Sequence, residues 1–286
     1  MKAFFLVLGM AAVLLSVTTG QCLAQQAVQT ASGTDPANAV PDPATGAQLT
    51  NVDELAKQLS NPVSSLISVP FQYNFARPYG DDGYQNLLNI QPVIPISISE
   101  DWNLISRTII PLVQQKDVQP GRTQFGLGDT TQSIFFSPKK PTASGIIWGA
   151  GPVALLPTGT DGIGADTWGL GPTVVVLVQK GVWTYGVLAN QIWDTGGAAD
   201  ISSLYLQPFL VKSLGQGRTL GMNTESTYDW IHNEWNIPIN IFYSKVSRIG
   251  KQMVSNQFGV KVFVKTPYGD GPDWGLRYTF TLLFPK

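Results

Sequence analysis

Over the run that ends at Phe284, every second position is apolar without a break. Trp274, Leu276, Tyr278, Phe280, Leu282 and Phe284 share one parity; Gly275, Arg277, Thr279, Thr281 and Leu283 share the other. A period of two puts the two sets on opposite faces of a strand. The same alternation sets Ile67, Val69, Phe71, Tyr73 and Phe75 against Ser68, Gln72 and Asn74, and Phe258, Val260, Val262 and Val264 against Gly259, Lys261 and Lys265. From Leu66 onward the pattern predicts twelve strands, at 66–77, 85–98, 101–113, 124–136, 145–157, 167–179, 181–193, 200–211, 217–230, 235–246, 253–265 and 274–284. Parity switches within 124–136, which predicts a glycine bulge at Gly126 or Gly128. The count is even and the apolar faces are tall and aromatic at their ends. The expected fold is all-β: a transmembrane antiparallel up-and-down β-barrel with lipid outside and a wet lumen inside.

Ahead of the strands, Met1-Lys2 and the apolar run Ala3–Val17 read as a secretory signal, with small residues Cys22 and Ala24 placing cleavage after Ala24. A lipid-modified Cys22 fits poorly, because Gln21 stands where a small residue is needed. Cleavage removes the single cysteine, so the exported chain (residues 25–286) carries no thiol to mispair. Residues 25–60 form a leader rich in Ala, Gln, Thr and Pro, which ends in a short helix over 51–60. Asn51 and Glu54 offer a capping box, Pro62 follows, and Val52, Leu55 and Leu59 make an apolar stripe that should dock. Whether it plugs a barrel or lies beneath it is not decided by the pattern. The barrel itself is expected over 61–286, in the outer membrane of a Gram-negative cell. No later apolar run reaches the roughly 18 residues of a membrane helix.

Two distributions support that layout. All eight tryptophans fall near proposed strand ends, as interfacial girdles require. Connections on one side carry Asp81, Asp82, Asp161, Asp166, Asp194, Asp200, Asp270 and Asp273, while those on the other carry Lys139, Lys140, Lys180, Lys212, Arg248 and Lys251. Trp148-Gly-Ala-Gly-Pro152 recurs as Trp168-Gly-Leu-Gly-Pro172, a repeat local to one hairpin. Charged residues make up only 13% of the chain and the net charge is −1, which argues against a nucleic-acid partner.

With apolar residues on lipid, Arg107, Glu225, Asp229, Lys261 and Arg277 point into the lumen and are the candidate constriction residues. Facing lipid at mid-depth, an Arg or Lys would cost roughly 2–4 kcal/mol. Two readings stand side by side: a selectivity constriction, or an internal ion-pair network that fills the barrel. Twelve strands about 4.8 Å apart and tilted about 40° give a backbone radius on the order of 12 Å, which excludes large polymers. Catalysis is not expected. A Ser-His-Asp site needs a base, and the single histidine, His232, sits in a short loop. No cofactor is expected, and no zinc site, since one histidine and no retained cysteine cannot build it.

Leu66-Ile-Ser-Val-Pro-Phe71, Leu88-Asn-Ile-Gln-Pro-Val-Ile-Pro95, Asp101-Trp-Asn-Leu-Ile-Ser-Arg-Thr-Ile-Ile-Pro111, Gly126-Leu-Gly-Asp129, Phe135-Phe-Ser-Pro138, Trp168-Gly-Leu-Gly-Pro172, Leu206-Gln-Pro-Phe209, Arg248-Ile-Gly-Lys-Gln252 and Leu282-Leu-Phe-Pro-Lys286 share a wording. Together they resemble a bacterial outer-membrane barrel family named for the meta-pathway of phenol degradation, some members of which are labelled neuromedin U. The resemblance spans about residues 52–286. It implies a transporter-like barrel for small molecules, aromatic or hydrophobic ones among them, with outer-membrane lipids as partners. It carries no catalytic or ligand residues. One strand departs from it: 235–246, glycine-rich in that family, here contains Ile-Asn-Ile-Phe-Tyr-Ser. The terminal aromatic Phe284 matches the signal by which barrel-assembly machinery recognises a last strand. The competing expectations are a closed structural barrel for envelope maintenance and a lipid-acting enzyme.

Overall fold

A computed structural model describes residues 52–285 except 81, 120 and 270. The signal segment 1–24, most of the leader and the Asn51 cap lie outside the described residues. The strands are β1 (Ile67–Tyr79), β2 (Gly83–Ile90), β3 (Val93–Ser97), β4 (Trp102–Lys116), β5 (Thr123–Leu127), β6 (Thr130–Pro138), β7 (Ile146–Leu156), β8 (Thr167–Lys180), β9 (Trp183–Gly197), β10 (Ser202–Gly215), β11 (Arg218–Thr224), β12 (Ser226–Asp229), β13 (Glu234–Ile249), β14 (Gln252–Lys265) and β15 (Trp274–Phe284). All pairings are antiparallel between successive staves, and β15 pairs with β1 from Ile67↔Phe284 to Arg77↔Trp274, which closes the sheet. Three pairs of segments, β2–β3, β5–β6 and β11–β12, are single staves with a local break, so the barrel has 12 staves.

The breaks have sequence causes. Gln91-Pro92 separates β2 from β3, and Pro92 has no N–H to give the ladder. Between β5 and β6, Leu112 faces Leu127 while Ile109 faces Thr131, so one extra residue is accommodated at Gly128-Asp129. This is the expected bulge. It frees the Asp129 carboxylate to accept from Gly159 N at 2.9 Å and Ala165 N at 2.6 Å, which pins the loop between β7 and β8. Glu225 separates β11 from β12 without a register shift, opposite Pro238 on β13.

Burial is inverted relative to a water-soluble sandwich. On β15 the parity of Gly275, Arg277, Thr279, Thr281 and Leu283 is buried, while Trp274, Leu276 and Phe284 are exposed. On β8, Val175 is 0% exposed and Val176 39%. The outward side chains form an apolar belt, and Ser, Thr, Asn, Gln and Arg line much of the interior. Trp102, Trp148 and Trp183 stand at the end where the short turns lie, with Trp102 and Trp148 edge-to-face at 5.8 Å. Trp168, Trp193, Trp230, Trp235 and Trp274 stand at the other end. Such paired girdles mark the two interfaces of a bilayer.

The helix, α1, covers residues 52–59. Its apolar stripe docks inside the turn-side mouth of the barrel. Leu55 and Ala56 are buried with Leu66, Val246, Met253 and Leu283, and Val52 and Leu59 pack against them. Asp53 Oδ1 accepts from Gly217 N at 2.6 Å, and Gln179 Nε2 donates to Lys57 O at 2.9 Å. Glu54 Oε1 accepts from Gln58 Nε2 at 3.1 Å on the exposed side; its expected capping partner Asn51 lies outside the described residues. Asn61 Oδ1 accepts from Val63 N at 3.0 Å and turns the chain away. Val63 then enters a second cluster with Ile105, Phe135, Val175, Leu177 and Leu188 on the opposite wall. Helix and turn together narrow the turn-side mouth.

Candidate functional site

Midway along the lumen, charge gathers on inward positions of four staves. Arg277 comes from β15, Lys261 from β14, Arg107 from β4, and Glu225 from the β11–β12 break. Arg277 Nη1 and Nη2 donate to the two oxygens of Glu225 at 2.7 and 2.6 Å, a two-pronged pair in which the guanidinium fork matches the carboxylate. Arg277 Nε donates to Asn74 Oδ1 at 2.7 Å. Lys261 Nζ lies 3.8 Å from Glu225 Oε2. The Arg277 side chain is 3% exposed, Lys261 12% and Glu225 21%, so this ion cluster is largely withdrawn from solvent.

Arg107 joins through amides. Its Nη2 donates to Gln91 Oε1 at 3.2 Å. Gln91 bonds to Gln72, whose amide lies over the Arg277 guanidinium. On the neighbouring wall, Asn240 Nδ2 donates to Asn223 Oδ1 at 2.8 Å, and the Thr219 and Ser244 hydroxyls bond at 2.6 Å. Phe242, from the strand that departs from the glycine-rich pattern, turns its ring over Gly221, where a Cβ would collide with it. The structure therefore brings Arg107, Glu225, Lys261 and Arg277 into one belt.

Asp229 stands apart from that belt. It ends β12 at the loop side, where its carboxylate bonds to His232 Nδ1 at 2.7 Å and accepts from Ile231 N at 2.8 Å. Its parity is inward, as the sequence predicts, but its height is that of the rim. The amides Gln72, Asn74 and Gln91 are the members that charge-based reading missed. Asn74 and Gln72 share the inward parity of β1, which is the signal that points to them.

Three cavities follow one another down the barrel. One of about 270 Å³ lies at the belt, lined in part by Arg107, Gln91, Asn190, Tyr205 and Glu225. One of about 180 Å³ lies between the belt and the plug, and shares Gln91 and Arg107 with the first. One of about 390 Å³ runs between α1 and the β9–β11 wall, beside Ala56, Ser60, Val182, Val211 and Thr219. Among the described residues there is no cluster of His, Cys, Asp and Glu that would hold a metal ion.

No protein-family model matches this chain, and no curated protein matches it. Among solved structures it is similar to an outer membrane channel from Pseudomonas putida F1, at 14% identity over 77% of this chain and 96% of that one, with a TM-score of 0.59. Two other barrels match at TM-scores below 0.5. KdgM porin, in complex with disordered oligogalacturonate, has 10% identity over 77% of this chain and 99% of its own, at 0.43. Outer membrane phospholipase A from Escherichia coli has 10% identity over 82% and 98%, at 0.45. What this chain shares with the Pseudomonas channel is the fold, a closed transmembrane β-barrel.

Proposed function

We propose that this chain is an outer-membrane channel for passive passage of small molecules, narrowed at its inner mouth by α1. The observation that carries this reading is the succession of cavities down a polar lumen inside an apolar-faced barrel. The belt cavity, about 270 Å³, is near the lower end of ligand pockets, roughly 300–1,000 Å³. That favours small solutes over polymers. The resemblance to the meta-pathway family supports aromatic or hydrophobic compounds among them, and the fold shared with the Pseudomonas channel supports the general kind. Insertion would use the last strand, ending at Phe284, as the recognition element for the assembly machinery.

The test is single-channel recording of the refolded mature chain in planar bilayers. Conductance steps are expected from the intact chain, and larger ones after deletion of residues 25–60. Absence of steps from both proteins would overturn the reading. A closed structural barrel is the second reading, favoured by the burial of Leu55 and Ala56 in the mouth; it predicts conductance only from the deletion. A lipid-acting enzyme would have to work through His232 at the rim. Lipid hydrolysis that persists unchanged in His232→Ala would remove that reading.

A further inference from the structure

We propose that Arg107 anchors a binding site for small organic carboxylates at the middle of the lumen. The proposal rests on the channel reading for the ligand's route in, but the binding itself is measurable without conduction.

Charge accounting points to Arg107. The belt holds three cations and one carboxylate. Both Glu225 oxygens are taken by Arg277, and Lys261 leans on the same group. Among the described residues Arg107 makes no ion pair: its hydrogen bond goes to the neutral amide of Gln91, and Glu225 acts on it only across the cavity. A guanidinium offers five donors in a planar fork suited to two carboxylate oxygens. Arg107 therefore keeps unspent donors and a charge that the shared Glu225 offsets only in part.

Placement points the same way. Going round the barrel, β4 and the β11–β12 stave lie on opposite walls, six steps apart in either direction. Arg107 and Glu225 both line the belt cavity, so it is the space between those walls. Beyond the charged head, Ile109, Ile192 and Tyr205 provide apolar and aromatic surface, while Ser133 and Asn190 provide polar groups. A carboxylate on Arg107 with a compact hydrocarbon body against those three side chains fits this lining. A free carboxylate approaching Glu225 instead would meet one already neutralised by two cations. Arg107 and Gln91 also line the cavity on the plug side, so a ligand held there sits at the boundary between the two compartments.

The experiment is equilibrium dialysis of benzoate against the refolded mature chain, with benzamide as its neutral isostere and inorganic phosphate as a second anion. Benzoate is expected to bind, and benzamide to bind at least about tenfold more weakly, as loss of a charge-assisted hydrogen bond implies. Arg107→Gln should weaken benzoate by a similar factor, and Arg107→Lys should recover part of it. Lys265→Gln, at the loop-side end of β14, should leave benzoate binding unchanged. Equal binding of benzoate and benzamide by the unaltered chain overturns the proposal without relying on any variant. So does phosphate binding tighter than benzoate, or benzoate affinity unchanged in a folded Arg107→Gln barrel. Binding without conductance would overturn the channel reading and leave the site standing; conductance with no benzoate binding would do the reverse.

Discussion

Glu225 is the one carboxylate of the belt, and the lumen cations converge on it. Arg277 is 5% exposed overall, and the bidentate carboxylate is what makes a guanidinium tolerable there. Removing one partner of a withdrawn pair leaves the other uncompensated. Glu225→Gln should therefore lower the unfolding free energy of the micelle-refolded barrel by about 1–3 kcal/mol, the cost of stranding a charged donor set. The measurement is the urea midpoint. The same substitution makes the belt more positive, so reversal potentials in a salt gradient should shift toward anions. The inward set was legible because parity fixes a side chain's face. Height is less legible: Asp229 has the inward parity, yet the turn at Ile231-His232 bends back to satisfy its carboxylate at the rim. Partner choice was also hidden, since Gln72, Asn74 and Gln91 carry no charge to draw attention.

At the scale of elements, the repeated Trp-Gly-x-Gly-Pro segments acquire a shared purpose. Pro152 and Pro172 face each other across β7 and β8, so neither can donate a ladder bond to the other. A Cβ on Gly151 would collide with the Ile134 carbonyl, and one on Gly171 with that of Gln191. Glycine lets adjoining staves fold sharply onto each other here, as a barrel corner needs. Gly171→Ala should abolish the heat-modifiable folded band on gels. Gly181→Ala, in an open turn with φ +58, should cost only about 1 kcal/mol. The plug behaves differently. Burial of one leucine is worth roughly 1.5–3 kcal/mol, so Leu55→Asp should release α1. Open probability should rise in single-channel records while the barrel still folds. The helix was legible from its stripe and Pro62, but its seat was not, because beyond Leu66 that seat is assembled from residues about two hundred positions away.

Over the whole molecule, the decisive property is the reversal of inside and outside. Alternation alone is shared by sandwiches and barrels; the tryptophan ends and the inward charges separate them. Val174 on β8 is mid-strand and 43% exposed, so Val174→Arg puts a cation against hydrocarbon. At mid-depth this should cost roughly 2–4 kcal/mol and reduce folding yield into lipid vesicles. Asn190→Lys, in the belt cavity, should leave that yield nearly intact and change ion preference instead.

The seat of α1 also bears on the order of assembly. Leu66 immediately precedes the first stave, while Leu283 lies almost at the end of the last, and both pack against Leu55 and Ala56. Val246 and Met253 complete the seat from the two staves before the last. Chain made early therefore lacks part of its home until the chain made latest arrives. Closure of the seam between β1 and β15 is thus what completes the helix's seat, and a barrel that lacks its last stave should hold the stopper less firmly.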